Sequence, residues 1–188
     1  DDYITMEIVP GQELSDLLQE RQLTYPEIYH ILIQLAQVLN FIHSRFMVHR
    51  DIKSSNIRIT PEGNVKLMDF GLMIPMGQPS NGEITGTAIY MPPEVPLGGI
   101  IDGRSDLYSL GVMAYELVTG KPPFTTQKIP ELIQHHVKIE PPSLKEQCRD
   151  VPDELVRIVH KLLLKRPEDR YKSTGDLIND LLKLSGKE

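Results

Sequence analysis

The 188-residue sequence is sparing in several features, and each shortage closes off a class of protein. Cys148 is the single cysteine, so no disulfide can form within the chain, and a reducing, cytoplasmic setting fits that usage. No histidine or acidic residue is patterned around it, which leaves a structural or incidental thiol. There is no tryptophan, and no run of lysine and arginine interleaved with aromatics. With a net charge of −6 and a pI near 5.5, the chain lacks the footprint of a nucleic-acid binder. The longest apolar stretch, Leu110 to Val118, is too short to span a bilayer and carries Glu116 inside it. Nothing has the pattern of a signal peptide. Internal repeats, low-complexity tracts and any G-x-G-x-x-G, the glycine turn that cradles phosphates in many nucleotide sites, are also absent.

What is present suits one well-buried soluble domain: 40% hydrophobic and 24% charged residues at a length that supports a single large core. Tyr3 to Val9 alternates β-formers and predicts a short strand, ended by Pro10-Gly11. Leu14, Leu17 and Leu18 recur at helical spacing. Thr24-Tyr25-Pro26-Glu27 is a capping-box signature with proline in the first turn. It opens an apolar face of Ile28, Ile31, Leu32, Leu35, Val38, Leu39 and Ile42. Ile57 and Ile59 alternate with Arg58 and Thr60, and Pro61-Glu62-Gly63-Asn64 turns the chain into Val65 to Met68, which predicts a hairpin.

Asp102-Gly103-Arg104-Ser105-Asp106 starts a helix that runs to about Thr119 and stops at Gly120 and Pro122-Pro123. Its apolar residues populate more than one face, so it should be buried. Helices are also expected near 129–137, 152–164 and, from a Ser173 cap, to Leu184. His135, His136 and His160 lie on these helices without metal-ligand partners, and are read as solvated. The resulting fold class is mainly α with a small β-hairpin.

One stretch concentrates chemistry: His49-Arg50-Asp51-Ile52-Lys53-Ser54-Ser55-Asn56, followed after the hairpin by Asp69-Phe70-Gly71. It sets a carboxylate, an ammonium and an amide in one loop and returns a second carboxylate beside them. A transferring phosphoryl group needs that equipment. Its nucleophile must be held in line by a proton acceptor, and its charge must be neutralised by cations. Asp51 can accept the proton, Lys53 can reach the phosphate as a point charge, and Asn56 and Asp69 offer the hard oxygens that suit Mg2+.

His-Arg-Asp or Asp-Phe-Gly alone would pass for a solvated turn. In this order and spacing they resemble the protein kinase family, whose catalytic loop reads His-Arg-Asp, then Lys, then Asn, and whose metal-binding triplet is Asp-Phe-Gly. The resemblance implies a protein-kinase-like C-lobe, with residues 1–12 as the hinge and end of a small-lobe strand and 13–188 as the large lobe. The catalytic loop would be 49–56 and the activation segment, read from its glycines and prolines as a mobile loop, 69–94. No glycine-rich loop or strand lysine is present, so the resemblance implies that the small N-terminal lobe is missing. That lobe would be a partner of this chain.

By the same resemblance the cofactors would be ATP and Mg2+, and the partner a protein substrate with a Ser or Thr acceptor. Asp51, Lys53, Asn56 and Asp69 would be catalytic, with Asn56 and Asp69 on the metal. Met6 would guard the back of the nucleotide pocket, Glu7 and Val9 would face the base, and Glu13 would contact the ribose or a basic substrate side chain. Lys53, Asn56 and Asp69 would complete the cofactor set. Arg58 departs from the family, which places an apolar side chain there as the floor under adenine. Its planar head could lie flat or snorkel away.

Gly86 to Glu94 resembles the substrate-docking end of the activation segment. Thr87 and Glu94 stand in place, while Ala88 and Pro92 depart from the usual Pro and Ala. Arg166-Pro167-Glu168-Asp169-Arg170 resembles an Arg-Pro-x-x-Arg element, which would pair Arg170 with Glu94. Asp106 would accept backbone hydrogen bonds from the catalytic loop. Arg50 would bind a phosphate on the activation segment; the customary phosphosite falls at Glu83, with Ser80 and Thr85 as further regulatory candidates. The function implied is transfer of the γ-phosphate of ATP to protein Ser or Thr. A pseudokinase or protein-binding scaffold is the second reading, and a small-molecule phosphotransferase the third.

Overall fold

A computed structural model describes residues 8–82 and 88–186. The first elements are β1 (Gln12–Glu13), α1 (Leu14–Glu20) and the long α2 (Tyr25–His43). The centre holds β2 (Met47–Val48), the hairpin β3 (Ile57–Ile59) and β4 (Val65–Leu67), then β5 (Ile74–Pro75), β6 (Gln78–Pro79) and β7 (Ile100–Ile101). The remainder is helical: α3 (Gly103–Thr119), α4 (Ile129–Lys138), α5 (Leu144–Gln147), α6 (Asp153–Leu162) and α7 (Thr174–Ser185). The chain is thus mainly α, as its periodicity predicts. Among the described residues no helix is long and apolar enough to cross a membrane.

The core forms around α3. Twelve of its residues are buried, from Ser105 through Tyr115 and Leu117, because apolar side chains leave it on every side. Asp102 caps its start by accepting the Arg104 N–H at 2.8 Å, and Gly120, at φ 75°, closes its end in the left-handed conformation that glycine adopts without strain. Helix α2 lays Ile28, Leu32, Leu35, Ala36 and Leu39 into the same core, each almost fully enclosed. A leucine or isoleucine so buried contributes about 1.5–3 kcal/mol. At its start, Glu27 reaches back to the Thr24 N–H at 2.8 Å. Helix α7 packs on α2, and α6 on α3; α7 is capped reciprocally by Ser173 and Asp176.

The hairpin is part of a larger β structure than the alternating pattern indicates. β3 lies between β4 and β1 in a three-stranded antiparallel sheet, with Glu13 opposite Arg58 and Gln12 opposite Ile59. Two further ribbons, β2 with β5 and β6 with β7, tie the 69–82 stretch to the body at Ile74–Pro75 and Gln78–Pro79. They are two residues long, below the length at which alternation becomes visible.

One expectation fails. His136 is fully buried rather than solvated. Its ring stands edge-on to Phe124 at 5.2 Å and to Tyr108 at 5.8 Å, and its Nδ1 lies 3.0 Å from the Tyr108 hydroxyl. It follows Leu132, the other buried residue of α4, by one helical turn, so the short helix turns this side chain inward. His160 is half-buried and accepts the Leu144 N–H at 3.3 Å.

Burial holds the His136 pKa down at about 4, against 6.5 for the free side chain. Between those values the unfolded chain binds the proton and the folded chain does not, so stability falls as pH drops from 6.5 toward 4, by on the order of 2–3 kcal/mol. The melting temperature followed from pH 7 to 4.5 should decline accordingly. In His136→Leu the same pH series should be flatter, and an unchanged slope would contradict the assignment.

Candidate active site

Helix α2 ends at His43, β2 returns the chain toward the core, and the loop that follows is held from below by α3. The Asp106 carboxylate, 1% exposed, accepts the His49 N–H at Oδ2 and the Arg50 N–H at Oδ1, both at 2.9 Å. His43 Nε2 lies 2.8 Å from the same Oδ2, and His43 Nδ1 is 2.7 Å from the Thr174 hydroxyl. Asp106 sits in the first turn of α3, where the helix dipole favours a negative charge. Its three donors hold Arg50 at φ 70°, a left-handed conformation that a non-glycine residue seldom adopts.

The next residue is Asp51, 6% exposed. Two side chains from the same loop converge on its Oδ2: Lys53 Nζ at 2.9 Å and Asn56 Nδ2 at 2.6 Å. Asn56 Nδ2 also reaches the Asp51 carbonyl at 2.9 Å, which the tight 3₁₀ turn over Ser54–Asn56 makes possible. The Asp51 N–H donates to His49 Nδ1 at 3.3 Å, so the proton of this neutral ring sits on Nε2. Burial lowers the His49 pKa and keeps the ring neutral. Phe70 lies edge-on to that ring at 5.3 Å.

Hairpin register brings Asp69 back to this loop. Ile57 pairs with Leu67, and the Met68 N–H donates to the Asn56 carbonyl at 2.8 Å, so Asp69 follows directly beside Asn56. Asp69 is exposed, at φ 58°, with one described donor on its carboxylate, the Gly71 N–H at 3.2 Å. No three His, Cys, Asp or Glu side chains among the described residues group closely enough to hold a metal by themselves. The donor set is one amide oxygen and one solvated carboxylate. That suits a hard ion such as Mg2+ which also takes phosphate and water oxygens.

On the hinge side, Met6 and Glu7 lie outside the described residues, and Val9 is half-buried without a ladder partner. Gly11, at φ 112°, crosses so close to β3 that a Cβ would come within 2.8 Å of the Ile59 carbonyl carbon. Arg58 turns its head toward this hinge: Nη2 donates to the Gly11 carbonyl, and Nη1 lies 4.0 Å from Glu13. Its Nε is buried without a partner. The arginine head is therefore drawn toward Gly11 and Glu13.

Beyond the loop, Glu94 and Arg170 form a bidentate pair at 2.8 and 2.9 Å, with exposures of 6% and 2%. Arg170 also donates to the carbonyls of Leu164, Arg104 and Lys165, and Ser105 donates to Glu94 at 2.7 Å. Every donor of this buried guanidinium that faces a polar group is thus engaged. Glu83, Thr85 and Thr87 fall outside the described residues. Ser80 accepts the Gly82 N–H at 3.1 Å and donates its own N–H to Gly99.

A family profile described as the protein kinase domain matches residues 1–182. The chain belongs to the protein kinase family. It is 35% identical over 192 residues to the serine/threonine-protein kinase PknB of Mycobacterium tuberculosis, covering 99% of this chain and 31% of that protein. It is 36% identical to PknB of Mycolicibacterium smegmatis, over 97% of this chain and 30% of the relative. To the probable serine/threonine-protein kinase SCO3848 of Streptomyces coelicolor it is 37% identical, over 95% and 28%. The chain spans about a third of the length of the curated relatives it matches.

Within this kinase fold, several contributors escape a motif-based reading. His43, Ser54, Tyr90, Ser105 and Glu116 each hold a motif residue or its loop in place. Only His43 carries a sequence signal, as the polar residue that ends the apolar face of α2 just before the loop.

Removing one partner of the Glu94 and Arg170 pair strands the other charge in the core. Arg170→Ala should therefore lower unfolding stability by about 3–5 kcal/mol. Arg170→Lys should recover only part of the loss, because an ammonium cannot make the two parallel bonds. Urea denaturation reads both variants, and equal stability of wild type and Arg170→Ala would refute the assignment.

Proposed function

We propose that this chain is the catalytic large lobe of a serine/threonine protein kinase, transferring the γ-phosphate of ATP to hydroxyls of protein substrates. The observation that carries this reading is the convergence of Lys53 and Asn56 on one oxygen of the buried Asp51. The other buried carboxylates are tied to distant elements, Asp106 to the His49 and Arg50 N–H groups and the His43 ring, Glu94 to Arg170 and Ser105. Asp51 instead gathers the ammonium and amide that phosphoryl transfer uses.

When bound, ATP supplies the transferring group and Mg2+ neutralises charge on its phosphates. Asp51 accepts the proton of the incoming hydroxyl and holds its oxygen in line. Lys53, held on Asp51 at 2.9 Å, would lend its positive charge to the phosphate. Asn56, whose Nδ2 donates to Asp51, would offer its amide oxygen to the metal, and Asp69 would add a carboxylate. By the family resemblance Met6, Glu7 and Val9 would border the base, and Glu13 would contact the ribose or a basic substrate side chain. Thr87, by the family resemblance, would belong to the docking turn that presents the acceptor residue. The Lys53 position and Thr87 follow the Ser/Thr pattern, and the relatives' names agree with it.

A pseudokinase or scaffold is the competing reading, and Arg58 is what favours it. A charged residue beneath the base could weaken nucleotide binding, although its head is tied to Gly11. Regulation would run through Arg50, for which Glu83 would supply a carboxylate where a phosphate is customary, with Ser80 and Thr85 as modification sites.

Two measurements test these assignments in the full-length protein. Mg2+-dependent transfer of labelled γ-phosphate to Ser or Thr substrates should fall by about 100- to 10,000-fold in Asp51→Asn, and should cease on chelation of the metal. A folded parent without transfer would move the assignment to the pseudokinase. Glu83→Ala should reduce activity and should be restored by Glu83→Asp, and an Ala variant with full activity would exclude the constitutive carboxylate.

A further inference from the structure

Helix α3 carries a second carboxylate at the site that the chemistry so far leaves unused. Glu116 lies ten residues beyond Asp106, about 15 Å along the helix axis at 1.5 Å per residue. It makes no ion pair with any described residue. Its Oε2 instead accepts the hydroxyl of Tyr90 at 2.7 Å. Tyr90 closes a single 3₁₀ turn over Ala88–Tyr90, immediately after residues 83–87. The Tyr90 carbonyl is fixed as well, accepting the Ser109 hydroxyl at 2.8 Å, so this residue is bolted to α3 at both backbone and side chain.

The Tyr90 oxygen has a second neighbour, Ser54 Oγ, at 3.1 Å. A phenol carries one proton. With that proton directed to the carboxylate at the shorter distance, the Ser54 hydroxyl donates to Tyr90. Ser54 and Tyr90 are 4% and 9% exposed, so water competes poorly for these bonds. Ser54 is also well placed to matter. It opens the turn Ser54–Asn56, stands next to Lys53 and two residues before Asn56, and those are the two side chains held on Asp51.

We propose that Ser54 is a positioning residue, coupling the docking turn to Asp51. The catalytic loop is held to α3 at two points. Its start hangs on Asp106 through the backbone of His49 and Arg50, and its end on Glu116 through Ser54 and Tyr90. Because Tyr90 belongs to the docking segment, the second tether fixes the surface that presents an acceptor hydroxyl relative to the carboxylate that takes its proton. The role rests on the kinase reading above. It predicts a specific defect: transfer to a protein acceptor depends on the tether, whereas nucleotide binding and transfer to water do not.

The test uses the full-length protein with Ser54→Ala, Ser54→Thr, Tyr90→Phe and the double variant Ser54→Ala/Tyr90→Phe. Steady-state kinetics are measured for a peptide acceptor, alongside ATP hydrolysis without peptide. Ser54→Ala should lower kcat for the peptide about three- to tenfold, with KM for ATP and the hydrolysis rate unchanged. Ser54→Thr, which keeps the hydroxyl, should restore it. Tyr90→Phe should show the same defect, and the double variant should be no worse than the more impaired single one, because all remove the same tether. Equal losses in peptide transfer and hydrolysis would mean a general structural role and overturn the proposal, as would an indifferent Ser54→Ala. Loss of the kinase reading is distinguishable: it appears as absent Asp51-dependent transfer in the unmutated protein, and it overturns both.

Discussion

The active-site loop depends on one buried carboxylate. Asp106 is almost wholly withdrawn from water, and an isolated charge there would be costly. It is tolerated because two backbone N–H groups and the His43 ring converge on it at 2.8–2.9 Å, and because it sits at the positive end of α3. The dependence also runs the other way. His49 and Arg50 lie in a loop whose N–H groups have no ladder to join, and Asp106 is what satisfies them. The most buried helix therefore fixes the residue that precedes Asp51, and through it the direction in which Asp51 points.

A second buried pair extends that logic to the chain beyond the activation segment. Glu94 and Arg170 are 76 residues apart, yet they meet with two parallel hydrogen bonds in a site that also draws on Ser105 and three backbone carbonyls. An exposed ion pair would contribute little. Here the guanidinium crosslinks the end of the docking segment, the start of α3 and the turn before α7. The described part of the segment is held at its start by the hairpin register, in its middle by the β5 and β6 ribbons, and at its end by Glu94.

Helices and hairpin were legible because they follow from periodicity. The stripe of α2, the all-round apolarity of α3 and the turn at Pro61 to Asn64 each encode an element by spacing alone. The motif residues were legible because their chemistry and order are unusual together. What the sequence did not display are contacts between residues far apart in number and ordinary in type. His43 reaching Asp106, Ser54 reaching Tyr90 and Tyr90 reaching Glu116 involve hydroxyls, a ring and a carboxylate that would pass unnoticed on any surface. His136 misled for a related reason. A histidine counts as polar in a pattern, but two aromatic edges and one hydroxyl make a pocket in which its neutral form is at home.

Backbone strain marks where these constraints act together. Among the described residues, the non-glycine residues at positive φ are Phe46, Arg50 and Asp69, which bracket the catalytic loop and its returning carboxylate. Each such conformation costs about 1–2 kcal/mol, so it persists only where neighbours overdetermine it. Phe46 donates its N–H to His43 and accepts that of Met76, Arg50 is held by Asp106, and Asp69 follows a strand pair closed by Met68 and Asn56. Phe46 and Arg50 are thus strained where their backbone is hydrogen-bonded, and Asp69 directly follows such a point. Asp51, which follows the Arg50 backbone held by Asp106 and takes Lys53 and Asn56 on one oxygen, is thereby oriented by the chain's own contacts.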